Sequence, residues 1–236
     1  MLIGALAIAT AAATTALASQ ASDPAITSRA QVEQIVRDYI LNNPEILPEA
    51  MEKLQSKRMG AVISEKRAEI ETPYAGGWEG AAKGDVVLVE FFDYACGYCR
   101  AARKDIAKLL TEDKNLKVVY RELPILSEES GQAAKVSLLA AERGKYSAFH
   151  ENLYEAGRVT KESIIKAAAS VGIDQKAAEA AIADKRYNGE LEKNIKLAQA
   201  LGASGTPTFV VGDQILAGAV GYDALKKAVA TVREKK

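Results

Sequence analysis

The sequence predicts an α/β domain that carries a helical insertion and follows a separate helical extension. Three observations predict this architecture. A run of β-branched and aromatic residues over 86–92 leads directly into a Cys-x-x-Cys motif that opens a helical pattern. A second β-rich run follows Pro207. The stretch between them is rich in Ala, Lys and Glu at helical spacing, which indicates inserted helices at about 128–201.

Composition and charge exclude several classes of protein. The 236 residues carry 31 Lys and Arg against 31 Asp and Glu, so the chain lacks the basic footprint of a nucleic-acid binder. One histidine and two cysteines cannot complete a four-ligand structural zinc site without carboxylates or a second chain, and they exclude a disulfide-dense secreted scaffold. A Ser-His-Asp hydrolase would depend on His150 alone, which we interpret as a structural or surface residue of a helix.

The first segment, 1–18, is an uncharged run rich in Ala and Thr that ends in Ala-Leu-Ala. A membrane span needs about 20 strongly apolar residues, whereas small residues in this arrangement are typical of a signal-peptide cleavage site. No Lys or Arg precedes the run, so the true start codon stays open, and an anchor or an ordinary buried helix is the alternative. We expect export to an oxidising compartment, where a cysteine pair can form a disulfide, without stable membrane insertion after signal removal.

The segment 19–71 is predicted to be helical and to mediate self-association. Ser28 and Gln31 can form a capping box, and apolar residues then recur at helical spacing over 32–40. The stretch 55–71 is dense in charge and would suit a solvated helical stem. Because so short a segment buries little surface by itself, its apolar stripes need a partner. We favour oligomerisation over the alternative that the stripes fold back onto the main domain.

The cysteine pair follows a loop predicted at 72–84 and the strand at 86–92. Cys96 would begin a helix, where free N–H groups and the helix dipole stabilise a thiolate. Cys99, one turn later, would be shielded but close enough to attack a mixed disulfide. A Cys-x-x-Cys motif can also bind a metal, but a strand, a tight turn and a helix around it favour redox chemistry.

Two further positions support the redox interpretation. Glu90 is an acidic residue in an otherwise apolar strand, and burying a carboxylate is costly unless it has a role. We expect Glu90 to accept the proton of Cys99, with a solvent-facing edge position as the alternative. Pro207, preceded by Thr206, begins the second β-rich run, which is compatible with a cis peptide bond.

The motif EFFDYACGYC, followed more than a hundred residues later by GTPTFVVGD, resembles the DsbA-like branch of the thioredoxin superfamily. The segment RAQVEQIVRDYILNNPEILPEAMEKLQ resembles the N-terminal extension of proteins of the ScsC type, the suppressors of copper sensitivity. The resemblance implies a thioredoxin fold over 72–236. It also implies that Cys96 is the nucleophile, that Cys99 resolves the mixed disulfide and that Glu90 is the buried acid beneath the active site.

The resemblance further implies a cis peptide bond at Thr206–Pro207, packed beside the disulfide and lining a substrate groove. Gly97 and Tyr98, between the cysteines, are expected to contact substrate as well. The strongly oxidising DsbA type has Pro-His at these two positions. Without that histidine the disulfide should be less oxidising, and Gly-Tyr together with Thr before the proline resembles the bacterial isomerase DsbC.

The expected function is therefore that of a periplasmic disulfide isomerase that acts on misfolded secreted proteins. Clustered active sites favour isomerisation, and since some ScsC-type relatives are trimeric isomerases, a homotrimer is favoured over a dimer. A membrane thiol reductase is the expected partner, and no cofactor is expected besides the redox-active Cys96–Cys99 disulfide. The alternatives are a monomeric DsbA-like dithiol oxidase and a copper-tolerance protein that binds Cu(I) through the same two thiolates, which suit that soft ion.

Overall fold

The computed structural model describes residues 26–235, and the predicted signal segment lies outside them. In chain order its elements are α1 (Arg29–Asn42), α2 (Ile46–Glu71), β1 (Trp78–Gly80), β2 (Val86–Phe92), α3 (Gly97–Glu112), β3 (Leu116–Glu122), α4 (Glu128–Glu142), α5 (Tyr146–Glu155), α6 (Lys161–Ser170), α7 (Gln175–Ala183), a 3₁₀ turn (Lys185–Tyr187), α8 (Asn188–Ala200), β4 (Thr208–Val211), β5 (Gln214–Ala217) and α9 (Tyr222–Glu234).

A five-stranded mixed sheet forms the centre of the fold, in the order β1-β3-β2-β4-β5. Strands β2 and β3 are parallel, and the other neighbouring pairs are antiparallel. Helix α3 makes the crossover that parallel neighbours require. Strands β2 and β3 are buried along nearly their whole length, which explains why β2 is apolar at every position except Glu90. The predicted α/β fold with inserted helices, α4 to α8 between β3 and β4, is confirmed.

The two faces of the sheet contribute to separate apolar clusters, because alternate residues of a strand point to opposite sides. Leu88 and Phe92 of β2 belong to the larger cluster, together with α3, α9 and the inserted helices α4 to α7. Val89 and Phe91 belong to the smaller cluster, which α8 also covers. Glu90 shares its face with Leu88 and Phe92 and therefore points to the side on which α3 packs.

The second half of α2 is part of the larger compact unit, Met51–Lys236, which contains the sheet and the cysteine pair and is called the catalytic body below. The described chain divides into two compact units between Ala50 and Met51, inside this helix. Ile63 and Ile70, two helical turns apart on one side of α2, are completely buried in the smaller cluster. This differs from the solvated stem expected over 55–71. The physical reason is that this side of α2 covers apolar sheet surface that would otherwise be exposed.

Arg121 fixes the end of α2 to the sheet. Its buried guanidinium donates hydrogen bonds to the carbonyl oxygens of Ile70, at 3.2 Å, and of Thr72. The same guanidinium forms an ion pair with Glu190 at 2.9 Å and donates to the side chain of Asn194 at 3.2 Å. These bonds satisfy carbonyl groups that a helix end leaves free and compensate a buried charge.

The first unit contains α1 and the first residues of α2. Helix α1 begins at the predicted capping box of Ser28 and Gln31. None of its residues is buried, and its apolar stripe is about half exposed in the single chain at Val32, Ile35, Val36 and Tyr39. Within residues 26–235, no helix combines the length and the apolar character that crossing a membrane requires.

Candidate active site

Cys96 lies at the N-terminus of α3, as the sequence predicts. Its amide donates to the carbonyl of Asp93 at 3.0 Å, which closes the turn between β2 and α3. Its sulfur accepts the amide N–H of Cys99 at 3.4 Å and so caps the helix. The sulfur therefore accepts a backbone donor and lies at the positive end of the helix dipole.

The proline loop faces the same sulfur. The Thr206–Pro207 peptide bond is cis, and the Cys96 thiol donates to the carbonyl oxygen of Thr206 at 3.2 Å. Thr208 begins β4 immediately after the proline and donates its hydroxyl to Gly205 at 2.8 Å. The fold therefore brings together two motifs that are more than a hundred residues apart in the chain.

The two cysteines differ in their accessibility. Both are free thiols, Cys96 with 6% and Cys99 with 1% of its surface exposed. Burial, and secondarily the charge of Glu90, raise the pKa of Cys99 far above its ordinary value. Tyr98 is 72% exposed, and the space around the Cα of Gly97 is open. The residues between the cysteines therefore face solvent.

Glu90 is buried, and the alternative of a solvent-facing edge position is wrong. It lies in β2, a central strand, opposite Tyr120 of β3 and Phe209 of β4, with 2% of its surface exposed. Burial raises its pKa to about 8; the charge of Arg103 opposes this rise and that of Glu79 adds to it. Its Oε1 atom has no hydrogen-bond partner among the described residues. A carboxyl group with such a pKa can exchange protons near neutral pH.

An ion-pair cluster lies beside Glu90. Arg103 of α3 pairs with Glu79 at 2.7 Å and with Glu151 at 2.8 Å, and its side chain is mostly buried. The hydroxyl of Tyr120 donates to Glu79 at 2.8 Å. Sequence reasoning missed this cluster because its members come from β1, β3, α3 and α5, and no local pattern indicates that they meet.

Asp93 is a further residue that sequence reasoning missed. It is 1% exposed, and its carboxylate accepts hydrogen bonds from the amide of Ala95 at 2.7 Å and the hydroxyl of Ser130 at 2.6 Å. It also accepts from the amides of Ile125 at 2.8 Å and Leu126 at 3.0 Å. Asp93 thus ties the redox turn to the loop after β3 and to α4. Its position between a buried strand and the cysteine motif was the available signal.

His150 is a buried structural residue of α5. Its Nδ1 atom lies 3.0 Å from the hydroxyl of Tyr94, which lies 2.9 Å from that of Ser137. Burial keeps the pKa of His150 well below its ordinary value, so the ring is neutral. Its contribution is to hold Tyr94, two residues before Cys96.

The described residues contain no group of three or more His, Cys, Asp or Glu side chains that could hold a metal ion. A Cu(I) ion would depend on the sulfur atoms of Cys96 and Cys99 alone. Copper binding therefore stays a prediction.

Comparison with known protein families gives a match over most of the catalytic body. Residues 87–230 match the model of the DSBA-like thioredoxin domain. The chain belongs to the DsbA-like thioredoxin family. Residues 29–59 match the copper resistance protein ScsC N-terminal domain, in agreement with the resemblance of the extension. The catalytic body is therefore a thiol–disulfide oxidoreductase domain of the DsbA and ScsC type.

Solved structures resemble this DsbA-like chain over most of its length. A linker-deletion mutant of ScsC from Proteus mirabilis is 28% identical, with a TM-score of 0.71, and the match covers 91% of this chain and 100% of that one. A thioredoxin-like oxidoreductase from Silicibacter pomeroyi DSS-3 is 38% identical, with a TM-score of 0.66, over 70% of this chain and 95% of that one.

A curated relative matches a smaller part of this chain. The Na(+)/H(+) antiporter NhaA 3 of Salinispora tropica is 28% identical over 153 residues, which are 64% of this chain and 24% of that protein. The DsbA-like chain thus spans about a quarter of the length of the antiporter relatives that it matches.

Proposed function

We propose that this protein is a periplasmic thiol–disulfide oxidoreductase that works as a disulfide isomerase. The main support for the redox activity is the position of Cys96. Its sulfur caps α3 and faces the carbonyl of Thr206, which precedes a cis-proline. Gly97 and Tyr98 between the cysteines, with Thr206 before the proline, support the isomerase over the oxidase.

The proposed reaction begins at Cys96. Its thiolate attacks one sulfur of a client disulfide, so that a mixed disulfide forms and the other client sulfur leaves as a thiolate. In isomerisation a client thiolate then attacks the mixed disulfide and releases Cys96 with no net transfer of electrons. In reduction Cys99 attacks instead and its proton passes to Glu90. The client then leaves with two thiols, and Cys96 and Cys99 form a disulfide.

The groove for the client is proposed to lie between the cysteine turn and the proline loop. Tyr98 offers an exposed aromatic ring, and Gly97 leaves room for a peptide backbone. The residues Thr206 and Pro207 form the opposite wall. A misfolded secreted protein, which exposes extended chain, would fit such a groove.

The extension is proposed to make a homotrimer, with a dimer as the less favoured state. A helix that buries none of its apolar stripe is costly in water, and association removes that surface from solvent. Several active sites in one particle would allow repeated attack on one client before it diffuses away. A membrane thiol reductase would keep Cys96 and Cys99 reduced.

The test of this function combines the mass in solution with the recovery of scrambled ribonuclease. We expect the reduced wild type to be oligomeric and to restore ribonuclease activity. Val36→Lys places a charge in the α1 stripe and should give a monomer that reduces insulin disulfides but restores little ribonuclease activity. Gln34→Lys adds the same charge outside the stripe and should behave as the wild type. A monomeric wild type that restores no activity would contradict the isomerase proposal.

Glu90 makes the stability of the reduced protein depend on pH. In the unfolded chain its carboxyl group ionises near its ordinary pKa, whereas burial holds the folded pKa at about 8. The folded state therefore binds more protons between these values, and the free energy of unfolding falls as pH rises, by at most about 1.4 kcal/mol per pH unit. Glu90→Gln should remove this part of the slope.

Urea unfolding of the reduced protein between about pH 5 and pH 8 measures this slope. The exposed substitution Glu155→Gln is the control and should keep the wild-type slope. Glu90→Gln should also abolish the increase in the rate of the Cys99 step as pH approaches 8, because only a carboxylate accepts a proton. Equal slopes in the wild type and Glu90→Gln would show that Glu90 does not titrate in this range.

A further inference from the structure

A cavity of about 570 Å³ opens beside the redox turn. Ala95, which immediately precedes Cys96, lines one wall. Arg100 lines the same wall, and its amide donates to the carbonyl of Cys96 at 3.1 Å. The opposite walls come from the start of α4 and from the loop before α6, with Ser127, Glu129, Gly157, Arg158, Val159 and Thr160. The cavity therefore borders the nucleophile, and it lies outside the groove between the cysteine turn and the proline loop.

The lining of this cavity carries more positive than negative charge. The guanidinium of Arg100 donates to the carbonyl of Gly157, while its Nε atom has no partner among the described residues. Arg158 is exposed, and no residue of the described chain forms an ion pair with it. Glu129 is the acidic member of the lining and is exposed. The lining thus contains two guanidinium groups and one carboxylate.

Two helix N-termini add to this positive potential. Ser127 caps α4 and Thr160 caps α6, and both residues line the cavity. The free N–H groups and the dipole of a first turn favour a nearby anion. Guanidinium groups bind carboxylates through paired, charge-assisted hydrogen bonds. The cavity and its two arginines, with the helix ends in support, fit an anionic group on a flexible chain.

We propose that this cavity is a carboxylate subsite, which binds an acidic residue of a client close to the cysteine that reacts with Cys96. Ala95, next to Cys96, lines the cavity together with Arg158, and an extended chain advances about 3.3 Å per residue, so we expect the acidic residue to lie within about three residues of the client cysteine. The proposal rests on the proposed thiol–disulfide exchange and adds a preference among its clients. Acidic segments beside a disulfide would be processed first.

The test compares two disulfide-linked peptides that differ only in a Glu or a Gln beside the cysteine. With the reduced full-length protein at low salt, we expect the Glu peptide to react about fivefold faster, and salt should diminish the difference. Arg158→Gln should bring the two rates together by slowing the Glu peptide. Glu129→Gln should widen the difference, because it removes the repelling charge.

Arg143→Gln is the matched control. Arg143 is exposed at the end of α4, about 20 Å from the cavity at 1.5 Å per residue, and its loss should leave the preference intact. The reaction with oxidised glutathione, a small disulfide that also carries carboxylates, is measured as a second comparison. If Arg158→Gln slows the reaction with oxidised glutathione and leaves that of the Glu peptide unaffected, the subsite serves a small-molecule disulfide and the client proposal is wrong.

Equal rates for the two peptides with the wild type would overturn the subsite, as would an equal effect of Arg143→Gln and Arg158→Gln. If neither peptide reacts at all, the proposed exchange activity fails as well. The Gln peptide thus separates failure of the subsite from failure of the function.

Discussion

Replacing Cys99 by alanine is expected to trap this protein in mixed disulfides with its clients, whereas replacing Cys96 by alanine should abolish exchange. The sulfur of Cys96 accepts a backbone amide and faces the proline loop, so it meets the client first. Cys99 is buried, and its raised pKa keeps it a thiol until the mixed disulfide has formed. Without Cys99, the mixed disulfide can be released only by a thiol of the client.

Mass spectrometry after mixing each reduced variant with a disulfide-linked peptide measures this difference. The Cys99→Ala variant should accumulate a one-to-one adduct, and Cys96→Ala should form it at least about a thousandfold more slowly. The double variant is the control for reaction outside the pair and should form none. If the adduct formed equally fast with Cys96→Ala, Cys99 would be the nucleophile that attacks the client. That result would contradict the burial of Cys99 in the structure.

The sequence predicts those parts of the fold that depend on residues close together in the chain. A continuous apolar run marks β2 because that strand is buried on both faces. Ser28 and Gln31 mark the start of α1 because a capping box needs only residues three apart. The cysteine motif and the Thr206–Pro207 pair are likewise short, so their joint position follows once the fold is assigned.

The parts that the sequence does not predict depend on partners from distant segments. Ile63 and Ile70 stand among charged residues of α2, and nothing local shows that a sheet face covers them. Arg103 and Glu79 belong to segments that look solvated until α3 and β1 lie together. Asp93 is an ordinary turn residue until four donors surround it. The burial of Glu90, which raises its pKa, and the charges of Arg103 and Glu79 beside it are therefore visible only in three dimensions.

A protein that begins at Met51 is expected to keep the stability of the catalytic body, whereas one that begins at Thr72 is expected to lose most of it. The shorter truncation removes only the first compact unit. The longer one also removes Ile63 and Ile70, and loss of a buried isoleucine side chain typically costs about 2–5 kcal/mol. The free energy of unfolding of a typical domain is only about 5–15 kcal/mol.

Urea unfolding of the two truncated proteins measures this difference in stability. Point variants then separate the effect of losing a buried side chain from the effect of shortening the chain. Ile70→Ala in the protein that begins at Met51 should lower the free energy of unfolding by about 2–5 kcal/mol. Leu54→Ala, at a position that is 42% exposed on the same helix, should change it by less than about 0.5 kcal/mol. Equal stability of the two truncated proteins would show that α2 is a solvated stem after all.

The two truncated proteins differ in what they can show about the role of the extension in isomerisation. If the protein that begins at Thr72 fails to restore scrambled ribonuclease, the failure has two causes, because both the association surface and part of the core are gone. The protein that begins at Met51 loses the α1 stripe and keeps Ile70 and the contacts of Arg121. We expect it to reduce insulin disulfides at the wild-type rate while restoring little ribonuclease activity. Recovery at the wild-type level would mean that one active site suffices for isomerisation.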